Sequence, residues 1–197
     1  MGTEEAGHDL DPILRSELPM LEVQLKNGSI EEKIHALDRL SELGQRARPL
    51  VSVVLSMVDQ RSPCFSTSML LKLLKATGDV GIVQALRRAN LLQGLGIWDQ
   101  VDCFRYGAEE LEDDLRSYIW QHRHAAGDPL RPGVVKALGE KGGQESLKMM
   151  RTLLVELGEY NELQAKNILN DFENKAQISL REEVRKAIKQ LTERGLR

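Results

Sequence analysis

Residues 18–44 read LPMLEVQLKNGSIEEKIHALDRLSELG. Leu18, Leu21 and Leu25 recur at the three- and four-residue spacing of one helix face; after a break, Ile34, Leu37 and Leu40 do the same, with Ala36 on the adjoining side. Asn27-Gly28 between the two runs is a turn signal, and Gly44 closes the second run after Leu40-Ser41-Glu42-Leu43. Two helices joined by so short a turn lie side by side, and neither could bury its apolar stripe alone. Pro19 costs nothing if it falls in the opening turn of the first helix, where its missing N–H has no partner anyway. If that helix begins near residue 10, Pro19 kinks it instead.

The layout returns in residues 47–78, ARPLVSVVLSMVDQRSPCFSTSMLLKLLKATG, again helix, turn, helix and closing glycine. Gly44 and Gly78 stand 34 residues apart, within the range of helical-repeat periods. Val80 opens a third unit, GIVQALRRA, whose register is lost in the segment that follows. The pattern resumes with Ala137-Leu138-Gly139 as one helix end and Ser146 to Leu157 as the next helix. Near the C-terminus, Val184, Arg185, Ala187 and Leu191 keep a Val-Arg-x-Ala-x-x-x-Leu spacing. On these residues the chain resembles HEAT repeats, in pieces that cover about two-thirds of its length. The resemblance implies an all-α fold, a right-handed superhelix of antiparallel helix pairs with about nine to ten helices. Helices are predicted near 10–26, 30–43, 47–58, 65–77, 80–90, 107–124, 132–140, 144–157, 161–175 and 179–194, with breaks that include Arg61-Ser62-Pro63, Gly142-Gly143 and Gly158. The expected organisation is one HEAT-like domain over 1–197 with an irregular insertion near 91–128.

Composition narrows the function classes. The longest nearly uninterrupted apolar stretch, Pro49 to Val58, is half of what a membrane span needs, so no membrane association is expected. The acidic start MGTEEAGHDLD lacks a basic and an apolar region, so no secretory signal is expected and a cytoplasmic protein is. Cys64 and Cys103 fall in no metal-ligand spacing and have no activating base beside them in sequence. A net charge of -3 argues against a surface built for nucleic acid throughout. Gly-rich phosphate loops and the H-E-x-x-H, G-x-S-x-G and C-x-x-C motifs are absent, which removes several common catalytic mechanisms.

Five of the eight aromatic residues, Trp98, Phe104, Tyr106, Tyr118 and Trp120, sit in the middle segment where the repeat fails. Large side chains there either fill a packing gap or present a recognition patch with Arg105. Leu111, Leu115, Tyr118 and Ile119 share a helix stripe, which favours burial of Tyr118, whereas Trp98, Phe104 and Tyr106 read as loop residues open to either role. His122 and His124 point to different sides of a helix and suit a solvated, cationic helix end better than a metal site. Glu109, Glu110, Glu112, Asp113 and Asp114 form an acidic run of the kind that usually faces water. Charge is uneven along the chain: residues 1–60 hold eleven Asp and Glu against six Lys and Arg, and residues 178–197 hold six Lys and Arg against three Glu. Such polarity is compatible with head-to-tail self-association.

These readings converge on a non-catalytic adaptor that grips another protein, with no cofactor and no metal. The expected contacts are Glu31, His35, Asp38 and Glu42 on the first repeat's second helix, Trp98, Phe104, Arg105 and Tyr106 in the middle, and Arg181, Arg185 and Lys189 near the C-terminus. The alternative is a HEAT-like enzyme or nucleic-acid-binding module, since some alkyl-purine DNA glycosylases and bilin lyases use such scaffolds. Trp98, Trp120 and Asp99 or Asp102 would then be the analogous residues. A third reading makes the chain one piece of a larger system whose activity lies in a neighbouring protein.

Overall fold

The computed structural model describes residues 12–59, 66–125, 128–164 and 171–196. Within them the fold is all-helical, and no described residue is in a strand. Among the described residues no helix is long and apolar enough to cross a membrane. Two compact units divide the chain after Ala89.

The first unit contains α1 (Pro12–Asn27), α2 (Ile30–Leu43), α3 (Arg48–Asp59), α4 (Thr67–Thr77) and α5 (Val80–Arg88). Pro19 lies inside α1 and is exposed, so the helix continues through a residue that cannot donate to the preceding turn. Helix α2 starts with a capping box, in which the Ser29 hydroxyl accepts from the Glu32 N–H and the Glu32 carboxylate accepts from the Ser29 N–H at 2.7 Å. Gly44 and Gly78 end α2 and α4 with positive φ of 61° and 63°. Gly78, at ψ 27°, is a left-handed cap that costs other L-residues about 1–2 kcal/mol, whereas Gly44, at ψ -133°, lies in a different glycine region.

α1 packs on α2 and α3, α3 on α5, α2 on α4, and α4 on α5. Leu25, Leu40, Val54, Leu74, Ile82 and Leu86 are fully buried between them, each worth about 1.5–3 kcal/mol in removed apolar surface. Helices α2 and α4 are parallel neighbours, since Asp38 pairs with Lys72 and the Gly44 backbone lies beside the Ala76 carbonyl, in the same order along both. Arg48 Nε then donates to the Thr77 carbonyl at 3.0 Å, which supplies a partner at the end of α4.

The second unit contains α6 (Ile97–Arg105), α7 (Glu112–Gln121), α8 (Arg131–Lys141), α9 (Gln144–Gln164) and α10 (Asp171–Glu193). Helix α8 is central, packed by α6, α7, α9 and α10. It buries Val134, Val135, Ala137 and Leu138 on several sides, so its sequence shows no clean apolar stripe. Neighbouring helices again meet in parallel register. Arg105 of α6 meets Glu140 of α8, and Glu112 of α7 meets Ser146 of α9. With Asp38–Lys72 and Arg123–Glu156, these pairs span 33 to 35 residues of chain. Helices α8 and α10 cross where Gly139 faces Ala187, so closely that a Cβ on Gly139 would sit 2.8 Å from the Ala187 Cα.

Three local expectations are corrected. Residues 97–105, read as loop, are a helix, because Ile97, Val101 and Phe104 recur at helical spacing between the flanking glycines. Gly158 does not break α9, since one interior glycine costs only about 1 kcal/mol and Leu153 and Leu157 are anchored in the core. α10 is continuous where a break was expected between residues 175 and 179, a stretch without glycine or proline. The expected break at Arg61-Ser62-Pro63 and the residue Cys64 lie outside the described residues.

Candidate functional site

The expected contact residues fall on distinct surfaces. On α2, Glu31 and His35 are exposed. The Asp38 carboxylate accepts from Lys72 at 2.7 Å, and Glu42 accepts from Arg39 at 2.9 Å. Arg39 also binds Glu17, whose carboxyl it holds below the usual carboxylate range through hydrogen bonding. Asp38 and Glu42 are therefore compensated by Lys72 of α4 and Arg39 of α2, with Arg39 shared with Glu17 of α1. They form a mixed-charge surface.

The aromatic middle separates into buried and exposed members. Phe104 is 1 % exposed and fills the core with Val101 and Cys103, so of the two roles left open by the sequence it takes packing. Trp98 is 46 % exposed, with its ring edge laid on the Gly133 backbone of α8, and only a residue without a Cβ permits that approach. Tyr106 is half-buried at the end of α6. Tyr118 stacks on His122 with ring centroids 4.2 Å apart and donates its hydroxyl to Asp128 at 2.7 Å. Burial, then the hydrogen bond and negative charge of Asp128, push the Tyr118 phenol up. Arg123 lies over the Trp120 ring at 4.5 Å and binds Glu156 at 3.0 Å.

Arg131, buried at the start of α8, donates Nη1 to the carbonyls of His122 and Arg123 and so closes the end of α7. Its Nε has no hydrogen-bond partner. Within the acidic run, Glu112 is a structural acceptor between helices, whereas Glu109, Glu110, Asp113 and Asp114 are exposed. No group of three His, Cys, Asp or Glu among the described residues is placed to hold a metal ion.

The outer face of α6, α8 and α10 brings together the most distinctive set. Arg105 Nε donates to Glu140 at 3.1 Å, and the other Glu140 oxygen is 3.9 Å from the Lys136 ammonium. Beyond Lys136, a groove of about 310 Å³ opens between α8 and α10, lined by Lys136, Glu183, Lys186, Ala187 and Gln190. Its hollow arises because Ala187 leaves the space between the longer side chains empty. Glu183 accepts from Lys186 at 2.8 Å and raises the affinity of that ammonium for its proton. Arg185 and Lys189 are exposed on α10 beside the groove, with Lys189 3.8 Å from Glu193. Arg181 is half-buried, with its guanidinium against Gly158 of α9.

The structure thus joins Trp98 and Arg105 to one face of the second unit and leaves the α2 residues in the first. Lys136, Lys186, Glu183 and Gln190 were missed from sequence. A signal for them existed: residues 131–141 and 178–194 together hold eight Lys and Arg against four Glu, in a chain whose net charge is -3. Comparison of the chain with protein-family models, with curated proteins and with solved structures gives no significant match.

Proposed function

We propose that the chain is a non-catalytic protein-binding adaptor of HEAT-like type, cytoplasmic and built as one repeat domain. The observation that carries this reading is the recurring 33-to-35-residue span between residues that meet on, or just past the end of, parallel neighbouring helices. A stack of similar helix pairs gives that regularity, and repeat proteins of this kind use their exposed helix faces as binding surfaces. Three surfaces are the contact candidates: Glu31, His35, Asp38 and Glu42 on α2; Trp98 and Arg105 on α6; and the basic stretch of α8 and α10 with Arg185 and Lys189.

The test is affinity capture from native extract with the full chain and three variants: Asp38→Lys with Glu42→Lys, Trp98→Ala, and Lys136→Glu with Lys186→Glu. The expected result is a specific protein recovered by the wild type and lost with at least one variant whose circular dichroism is unchanged. Recovery of no specific protein, or equal recovery with all four, would overturn the reading. The positive balance of α8 and α10 favours a nucleic-acid-binding module as the second reading. A shift of duplex DNA at low salt, abolished by Lys136→Glu with Lys186→Glu, would put it first.

A further inference from the structure

We infer that the α8/α10 groove captures carboxylate side chains of an acidic, extended peptide segment, an inference that rests on the adaptor reading and names the chemistry of its partner. Charge is the first argument. Over their full lengths α8 and α10 carry eight Lys and Arg against six Asp and Glu, and residues 131–141 with 178–194, which hold the groove lining, carry eight Lys and Arg against four Glu, while the chain as a whole is net negative. A positive surface on an acidic protein draws an acidic partner to one place and holds it off the rest.

The local geometry is the second argument. Lys136 and Lys186 face the same hollow from opposite walls. The carboxylate closest to Lys136, that of Glu140, is 3.9 Å away and is held more tightly by Arg105 at 3.1 Å. On the opposite wall Glu183 binds Lys186, and the Gln190 carboxamide supplies a further hydrogen-bonding group. Lys186 is thus paired by Glu183, whereas Lys136 has only a distant Glu140 that it shares with Arg105, so an incoming carboxylate meets one weakly compensated ammonium.

Size and donor type choose the ligand. A groove of about 310 Å³ takes one or two side chains and is too small for a docked helix. Lysine pairs with phosphate as well as carboxylate, but as a point charge; the arginine forks and helix N-terminal N–H groups that add directed bonds to phosphate oxygens are absent from the lining. The groove lining has lysines and an amide instead. Ala187 on the floor leaves room for a Glu or Asp side chain to reach between the two ammonium groups.

The experiment titrates the full chain into a fluorescently labelled, end-blocked peptide of alternating Glu and Ser, read by anisotropy at about 20 mM salt. Matching probes are the same peptide with Gln for Glu and a single-stranded oligonucleotide of equal charge. The inference expects binding of the Glu peptide alone and at least about tenfold weaker binding by Lys136→Glu with Lys186→Glu. It also expects little change with Lys148→Glu, an exposed lysine on α9. It is overturned if the Glu peptide does not bind, if the double variant binds it equally, or if the oligonucleotide binds as tightly. Salt-dependent dimers of the wild type that the double variant loses would assign the groove to a second copy and also overturn it. Failure here with a captured partner still in hand removes the acidic-peptide inference and leaves the adaptor reading standing.

Discussion

Glu112 of α7 accepts a hydrogen bond from the Ser146 hydroxyl of α9 at 2.6 Å, across 34 residues of chain. The same oxygen accepts from the Gly143 N–H at 2.8 Å, so one carboxylate caps the start of a neighbouring helix and satisfies a fully buried serine. Glu112→Ala leaves both donors without this acceptor and is expected to cost about 1–3 kcal/mol. Glu112→Gln, which retains an oxygen in place, should cost less. Urea unfolding of the three proteins measures the order, and an alanine variant as stable as wild type would refute the capping role.

Two glycines of α8 should respond differently to a methyl group. At Gly139 the added Cβ meets the Ala187 backbone at 2.8 Å, so α8 and α10 must part, at a cost of about 1–3 kcal/mol. At Gly133 it meets only the ring of half-exposed Trp98, which can rotate outward. Gly133→Ala in a Trp120→Phe background should therefore red-shift tryptophan emission with little loss of stability, because alanine regains about 1 kcal/mol of helix propensity. Equal destabilisation by both changes would contradict the packing described.

The raised Tyr118 pKa carries a pH prediction. The phenol is held protonated in the folded state, by burial first and then by Asp128, so the folded state binds this proton more tightly than the unfolded chain. Its contribution is complete below the unfolded value of about 10 and is lost as pH rises through the folded one. Absorbance titration of the native protein should show one tyrosine ionising late, and Tyr118→Phe should remove that late phase alone. Three tyrosines titrating together near their ordinary value would refute it.

Gly158 offers a stabilising change. It lies inside α9, and the nearest atom to an added Cβ is Arg181 Nη2 at 3.4 Å, the end of a flexible side chain. Gly158→Ala should raise stability by about 0.5–1 kcal/mol through helix propensity and a less flexible unfolded chain. A drop in the thermal midpoint would show that the Arg181 position cannot adjust.

Much of the helical order was legible in sequence because its signals are local. Gly44 and Gly78 marked helix ends that both adopt positive φ, and Leu21, Leu25, Leu37 and Leu40 read as core and are core. What failed was decided by neighbours or by compensation. Glycines at 94 and 96 made the short α6 look like loop, although Ile97, Val101 and Phe104 already kept helical spacing. Gly158 was overridden by the packing of the leucines that precede it. Asp38 was named as an expected contact without its partner Lys72 on α4, which emerges only when the helices are packed, as does the link of Arg39 to Glu17 on α1. The α8/α10 groove needs residues fifty positions apart, so no single-helix reading reveals it.

The contacts between α8 and α10 differ in one respect from the other helix pairings described. Gly142 and Arg194, each one residue past the end of α8 and α10, are joined by a hydrogen bond across 52 residues, against at most 35 for the other pairs. Closing the longer loop costs slightly more entropy, and both walls of the groove exist only once it is closed. Anything held by both walls therefore favours the docked form of α10 in proportion to its binding. Slower amide exchange along α10 would then report occupancy of the groove, before the occupant itself is known.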